Sequence, residues 1–279
     1  MTVRLRGLPA FGMVLISTAY VVEISTFPII LPGLAAALNI STEHALYLVS
    51  AYKFALVLAL LLGGWLGDHM GKEWVFTTGA IVFCITGFAL LLSPSTEYAL
   101  LCRALQGFGA GLFSPMVPAL LSARNPSNPV RALARWGIVT GVAAAFFPLI
   151  SEQLSIHSSW HWAWALIPAA ALFALAGLPR ERDVSEPTRH DVPLSHFAPL
   201  SALGMPVWAI MMYVLLNYGI TTWFLYAIAL NMPGGHSTLP MLSLLMMVLW
   251  GTFSLSNYVV EKLWSGWSSG ARFLIAGAL

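Results

Sequence analysis

Gly64-Trp65-Leu66-Gly67-Asp68-His69-Met70-Gly71-Lys72-Glu73 is a polar, glycine-rich turn set between two apolar blocks. Upstream, residues 45–67 carry one charge, Lys53; downstream, residues 74–93 carry none. Crossing ~30 Å of hydrocarbon takes about 20 apolar residues in a helix. Each block has that length, so the ten residues read as the connection between two membrane-spanning helices. Neither block alternates as a membrane β-strand does. In lipid the backbone must satisfy its own hydrogen bonds, so the blocks must be helical.

The same pattern extends outward in both directions. Further apolar blocks lie at 11–33, 98–121, 136–154, 162–178, 206–230 and 240–259, giving eight full spans; a ninth begins near Ala271. Hydrophobic residues make up 58% of the chain and Asp, Glu, Lys and Arg only 9%. A soluble domain carries about 25% charged residues, so the fold class expected is an all-α membrane protein. The first span follows Arg4 and Arg6, as a signal peptide would. It is too long for one, contains Glu23, and lacks a small-residue cleavage site. The two cysteines, Cys84 and Cys102, fall inside spans and read as free thiols.

Charge sorting orients the bundle. Of the thirteen Lys and Arg residues, Arg4, Arg6, Lys72, Arg124, Arg131, Arg135, Arg180, Arg182, Arg189, Lys262 and Arg272 fall in connections on one side. The opposite connections, about 34–44, 94–97, 155–161 and 231–239, carry none. The other two, Lys53 and Arg103, are inside spans. By the positive-inside rule the charged side is cytoplasmic. The expected location is therefore a cell inner membrane, with the N-terminus in the cytoplasm.

Three regions follow: a six-helix N-terminal bundle at 1–178, a cytoplasmic linker at 179–205 containing Arg180-Glu181-Arg182-Asp183 and several prolines, and a partial C-terminal bundle at 206–279. Six spans, a charged linker and further spans suggest a duplicated helical transporter, of which this chain reads as a truncated part.

Three motifs, in order, carry a family resemblance. The turn at 64–73 resembles the Gly-x-Leu-x-Asp-x-x-Gly-basic loop between the second and third helices of the major facilitator superfamily. His69 and Glu73 stand where that family is usually basic. Arg103-Ala104-Leu105-Gln106-Gly107-Phe108-Gly109 is similar to its Arg-x-x-Gln-Gly-x-Gly signature. Glu23 through Leu31-Pro32 resembles the acid-to-Leu-Pro segment of the drug:proton antiporters of that superfamily. The fifth span departs: Gly137 and Gly141 keep a four-residue spacing, but Ala143-Ala144-Ala145-Phe146-Phe147-Pro148 and Ser151-Glu152 replace the terminal glycines of the antiporter signature.

The resemblance implies a major-facilitator-type bundle. The function expected is proton-coupled efflux of drugs or small organic molecules; the alternatives are proton-coupled uptake of an organic solute and a nontransporting membrane sensor or subunit. Glu23, Lys53 and Arg103 lie within about a turn of one depth at 1.5 Å per residue, and ionisable residues inside spans mark function by default. They are the candidate proton-coupling residues, with a static Glu23–Lys53 ion pair as the competing reading. Gly64, Asp68, Gly71 and Lys72 are the candidate gate: Asp68 pairs near neighbouring helix ends and the glycines permit close approach. Gln106 shares a face with Arg103. Tyr213, Asn217 and Thr221, spaced by four, share a face of the seventh span. These four are the candidate substrate-cavity residues, against interhelical hydrogen bonding for the last three. Seven of the eleven methionines follow residue 200, which suits either an adaptable pocket or plain packing.

The partners expected are a small-molecule substrate, protons and the lipid bilayer. A net charge of +2 with no basic block argues against nucleic acid. The histidines lack metal-ligand spacing and there is no Walker sequence, so no cofactor and no enzymatic activity are expected.

Overall fold

The computed structural model describes residues 8–176 and 239–263, together with Met212, Leu216, Ile220 and Tyr226. Among the described residues all regular structure is helical: α1 Leu8–Ala37, α2 Thr42–Met70, α3 Lys72–Ala89 ending in a 3-10 turn Leu90–Leu92, α4 Thr96–Phe113, α5 Met116–Arg124, α6 Pro129–His157, α7 Trp160–Ala176 and α8 Leu239–Leu263. Six stretches are long and apolar enough to cross a membrane, and α7 is a shorter apolar helix. The expected seventh span, the linker and the ninth span lie outside the described residues, apart from the four single positions.

Local chemistry fixes where each helix starts. Ser41 caps α2 by accepting from the His44 amide at 3.3 Å, Ser95 caps α4 by accepting from Tyr98, and Asn128 caps α6 by accepting from Arg131 at 3.0 Å, with Pro129 next. Gly71 separates α2 from α3 at φ +96°, which a side chain would strain. The expected boundaries shift in two places. The fourth span is broken at Ser114–Pro115 into α4 and α5. The fifth begins at Pro129 rather than 136, because the polar turn around Arg131 is already helical and the connection shrinks to Asn125–Asn128.

Polarity is distributed inside out. Phe54, Leu58, Leu61, Leu62 and Trp65 on α2 are exposed, whereas Glu23, Arg103 and Gln106 are buried. A contiguous apolar exterior is what lipid solvates. Inside, α4 is wedged between α2 and α3, α1 packs on α6 and α7, and α8 lies along α6. Glycines set the closest approaches. A methyl added at Gly79 would lie 2.7 Å from the Gly109 carbonyl oxygen, and one at Gly109 would meet Gly79 equally closely. At Gly107 it would collide with the backbone of Tyr52. Such small-residue seams bring helices together where no hydrophobic driving force separates lipid from protein.

Candidate functional site

The seam at Gly107 holds α2 against α4, and so brings the ring of Tyr52 beside Arg103. The guanidinium carbon of Arg103 lies 3.7 Å from the centroid of Phe27, 4.2 Å from that of Tyr52 and 5.6 Å from that of Trp164. Trp164 is itself held in place by an Nε1–H bond to the Gly87 carbonyl at 2.8 Å. Within this aromatic cage Arg103 Nη1 donates to Glu23 Oε1 at 2.6 Å and to Gln106 Oε1 at 2.8 Å. The pair is almost fully enclosed, with side-chain exposures of 2% and 1%. Rings stacked over a desolvated guanidinium favour the cation, and the carboxylate neutralises it.

A small cavity of about 30 Å³ adjoins the pair, lined by Glu23, Phe27, Tyr52, Lys53, Arg103 and Tyr226 among others. A water needs roughly 10–15 Å³, so the volume suits one or two. Four buried polar atoms here have no hydrogen-bond partner among the described residues: Glu23 Oε2, Tyr52 Oη, Arg103 Nε and Gln106 Nε2. The pocket is thus polar, water-sized and centred on a carboxyl.

Glu23, Lys53, Arg103 and Gln106 therefore meet at one place. The ion pair is Glu23–Arg103 rather than Glu23–Lys53; Lys53 instead contributes to the wall of the cavity. Gln106, expected as a substrate contact, bonds Arg103. Phe27, Tyr52 and Trp164 belong to the same cluster; their spacing alone marks them only as apolar core, and nothing but the packing of four helices reveals the cage. Tyr213, Asn217 and Thr221 lie outside the described residues.

The turn at 64–73 is arranged differently from the expected gate. Asp68 is 68% exposed and reaches only as far as Lys72 Nζ, at 4.0 Å on the next turn. Close helix approach is served by Gly63, against the Leu112 carbonyl, and by Gly67, against Met116, while Gly64 and Gly71 face open space. Glu73 Oε1 accepts from Arg124 Nη2 at 2.6 Å, tying α3 to the end of α5.

A second charged contact joins α6 to α8 at the end bearing the arginines. Glu261 at the end of α8 is 11% exposed and accepts from Arg135 Nε at 2.8 Å, with Arg131 Nε at 3.4 Å. Below it α6 and α8 close tightly: a methyl on Gly137 would strike Asn257, one on Gly141 would strike Ser254, and Ser254 Oγ donates to the Ile138 carbonyl at 3.1 Å. Beside this contact a cavity of about 430 Å³ is lined by Val14, Leu121, Asn125, Arg131, Arg135 and Trp136 among others. Glu261 and Arg135 are 126 residues apart, which no local spacing links.

Comparison with known proteins bears on the whole chain. The sequence profile of the Major Facilitator Superfamily matches residues 12–279. Relatives include the puromycin resistance protein pur8 of Streptomyces alboniger, 29% identical over 66% of this chain and 38% of its own length. Another is the fatty acid resistance protein FarB of Neisseria gonorrhoeae, 29% identical over 48% of this chain and 26% of its own. The chain thus spans well under half the length of these relatives. Among solved structures, a POT family transporter in complex with 5-aminolevulinic acid superposes with a TM-score of 0.57 over 97% of this chain and 55% of its own, at 16% identity. A D-xylose-proton symporter superposes at 0.50 over 92% and 68%. At such identities the likeness is one of fold.

Proposed function

From the premise that this chain belongs to the major facilitator superfamily, and is therefore a multi-pass membrane protein of a transporter family, we propose that it carries out proton-coupled efflux of drugs or small organic molecules across a cell inner membrane. Its N-terminus and the ends bearing Lys72, Arg124, Arg131 and Arg135 face the cytoplasm. The observation that carries the reading is the enclosed Glu23–Arg103 pair opening onto a water-sized cavity. In the proposed cycle a proton reaches Glu23 through that cavity, cancels its charge and loosens its hold on Arg103. Departure of the proton restores the pair. Lys53, on the cavity wall, tunes the exchange electrostatically. The resistance functions named for pur8 and FarB support export as the direction. The larger cavity at the charged end has the size of small-molecule pockets, roughly 300–1,000 Å³, and suits a cytoplasmic entrance.

Uptake is the second reading, favoured by Phe147 before Pro148 and by Ser151-Glu152 after it, where the antiporter signature carries glycines. Proteoliposomes with an imposed pH gradient test both. The protein should move puromycin against proton flow, and Glu23→Gln should bind it and lose the gradient-driven movement. Gradient-driven accumulation or expulsion by Glu23→Gln at the wild-type rate refutes the assignment of Glu23.

A further inference from the structure

Glu152 is a second carboxyl inside a membrane-spanning helix, and the site above makes no use of it. Its residue is 4% exposed. Among the described residues no ion pair or hydrogen bond reaches it. The hydroxyls beside it are similar: Ser151 Oγ and Ser155 Oγ are buried without a partner. Elsewhere in the bundle the hydroxyls of Ser17, Thr18, Thr86 and Thr140 turn back onto a carbonyl three or four residues earlier, whereas that of Thr26 on α1, like these two, has no partner among the described residues. Three polar groups in one and a half turns of α6 thus lack what comparable groups have.

Register places this cluster. α6 and α8 run antiparallel, with Gly137 at Asn257 and Gly141 at Ser254. Carried outward, that register sets Glu152 level with the buried Ser243. One turn further, Ile156 packs with Ile29 and Leu242 and caps the cluster. α1 and α6 run in the same direction, joined by the Trp136 Nε1–H bond to Ser17 Oγ at 2.8 Å. Measured from that bond, Glu152 lies ten residues further along its helix than Glu23 does; measured from the packing of Ile156 on Ile29 it lies two further, so it stands roughly 3–15 Å nearer the uncharged face.

Among the described residues, the helices packed on it bring no Lys or Arg to its level. α1 and α7 contain no Lys or Arg, and α8 contains only Lys262 at its far end. The other ionisable groups on α6 and the packed elements are Glu23, paired with Arg103; Tyr20 on α1; Arg131 and Arg135 at the charged end of α6, paired with Glu261 of α8; Tyr258 toward that same end; and the exposed His157 on α6 and His161 on α7. A carboxylate in hydrocarbon without a cation is costly.

We infer that Glu152, flanked by Ser151 and Ser155, is a second proton-binding site, set between Glu23 and the outer face. The inference rests on the proton-coupled reading and adds a station to it. A hydronium ion at the outer face gives its proton to a Glu152 oxygen and leaves as water; when α6 and α8 part, the O–H bond breaks and the proton passes to water.

Infrared difference spectra of the purified chain in lipid, between acidic and alkaline buffer, test it. The carboxylic C=O band should lose one component in Glu152→Gln and show it displaced in Glu152→Asp. Spectra of both variants that superimpose on the wild type overturn the site. If Glu152→Gln fails to fold by circular dichroism, the Glu152→Asp displacement decides alone. In proteoliposomes the number of protons moved per solute should fall in Glu152→Gln; an unchanged ratio also overturns it. A Glu152 band in a protein that moves no protons would sink the transport reading and leave this site standing.

Discussion

Replacing Glu23 by Gln keeps the shape and an acceptor oxygen but removes the charge opposite Arg103. Removing one partner of a buried ion pair costs about 3–5 kcal/mol, because the other charge remains buried. Arg103 is not left bare, however. The rings of Phe27 and Tyr52 lie 3.7 and 4.2 Å from its guanidinium carbon, and a desolvated cation–π contact contributes about 2 kcal/mol at most. The Gln106 bond survives as well. The net expectation is a loss of about 2–4 kcal/mol for Glu23→Gln. The double variant Glu23→Gln, Arg103→Gln removes both charges and should lose less than the sum of its two single changes, by at least about 2 kcal/mol, as interacting buried charges do. Unfolding of the four proteins in mixed micelles by increasing SDS gives the cycle. Additive losses, or a Glu23→Gln variant within about 1 kcal/mol of wild type, refute the claim that the pair organises α1 against α4. The same magnitude matters for coupling. A membrane potential supplies about 2.3 kcal/mol per elementary charge per 100 mV, so a pair worth a few kcal/mol is one that a proton gradient can open.

Single cysteines at Ser127 and Ser158, in a background lacking Cys84 and Cys102, should label oppositely with an impermeant thiol reagent in intact cells; equal labelling from outside overturns the orientation. Glu261→Gln should raise the reactivity of a cysteine at Ser254 by roughly fivefold, since partly exposed pairs such as those with Arg131 and Arg135 are worth about 1 kcal/mol in total; unchanged reactivity refutes the idea that this contact holds α6 against α8. Gly79→Ala should cost more than about 2 kcal/mol by prising α3 from α4, measured by the same SDS titration, whereas Gly64→Ala should fall within about 0.5 kcal/mol of wild type. Gly71→Ala should cost about 1 kcal/mol through its positive φ alone.

The helices were legible because lipid demands length and apolarity, and blocks such as 45–67 meet both conditions. Their ends were less so. The turn around Arg131 is too polar to count as span, yet Asn128 and Pro129 start a helix there. Pro115 marks the break between α4 and α5, but prolines also lie within α1, α6 and α7, so residue type alone does not separate a break from a tolerated kink. At the site, helical rise brought Glu23, Lys53 and Arg103 to one depth. Depth does not say which way a side chain points, so the choice of arginine over lysine as partner waited on packing. Glu152 was visible as a residue, but its isolation is a property of the three helices around it. Arg135 and Lys262 were sorted to the same side, but nothing in their spacing picked out Glu261 as the partner of Arg135.

The bond between Glu73 and Arg124 bears on how this chain can be altered. Related transporters usually carry a basic residue where Glu73 stands, so an alignment-guided repair would install arginine there. In this chain that single repair sets two guanidiniums against each other at the junction of α3 and α5. The pair has to be altered in twos: exchanging Glu73 and Arg124 for each other keeps the tie, while replacing Glu73 alone by a basic residue severs it. The departure from consensus at Glu73 is half of an ion pair, and its other half sits fifty-one residues downstream.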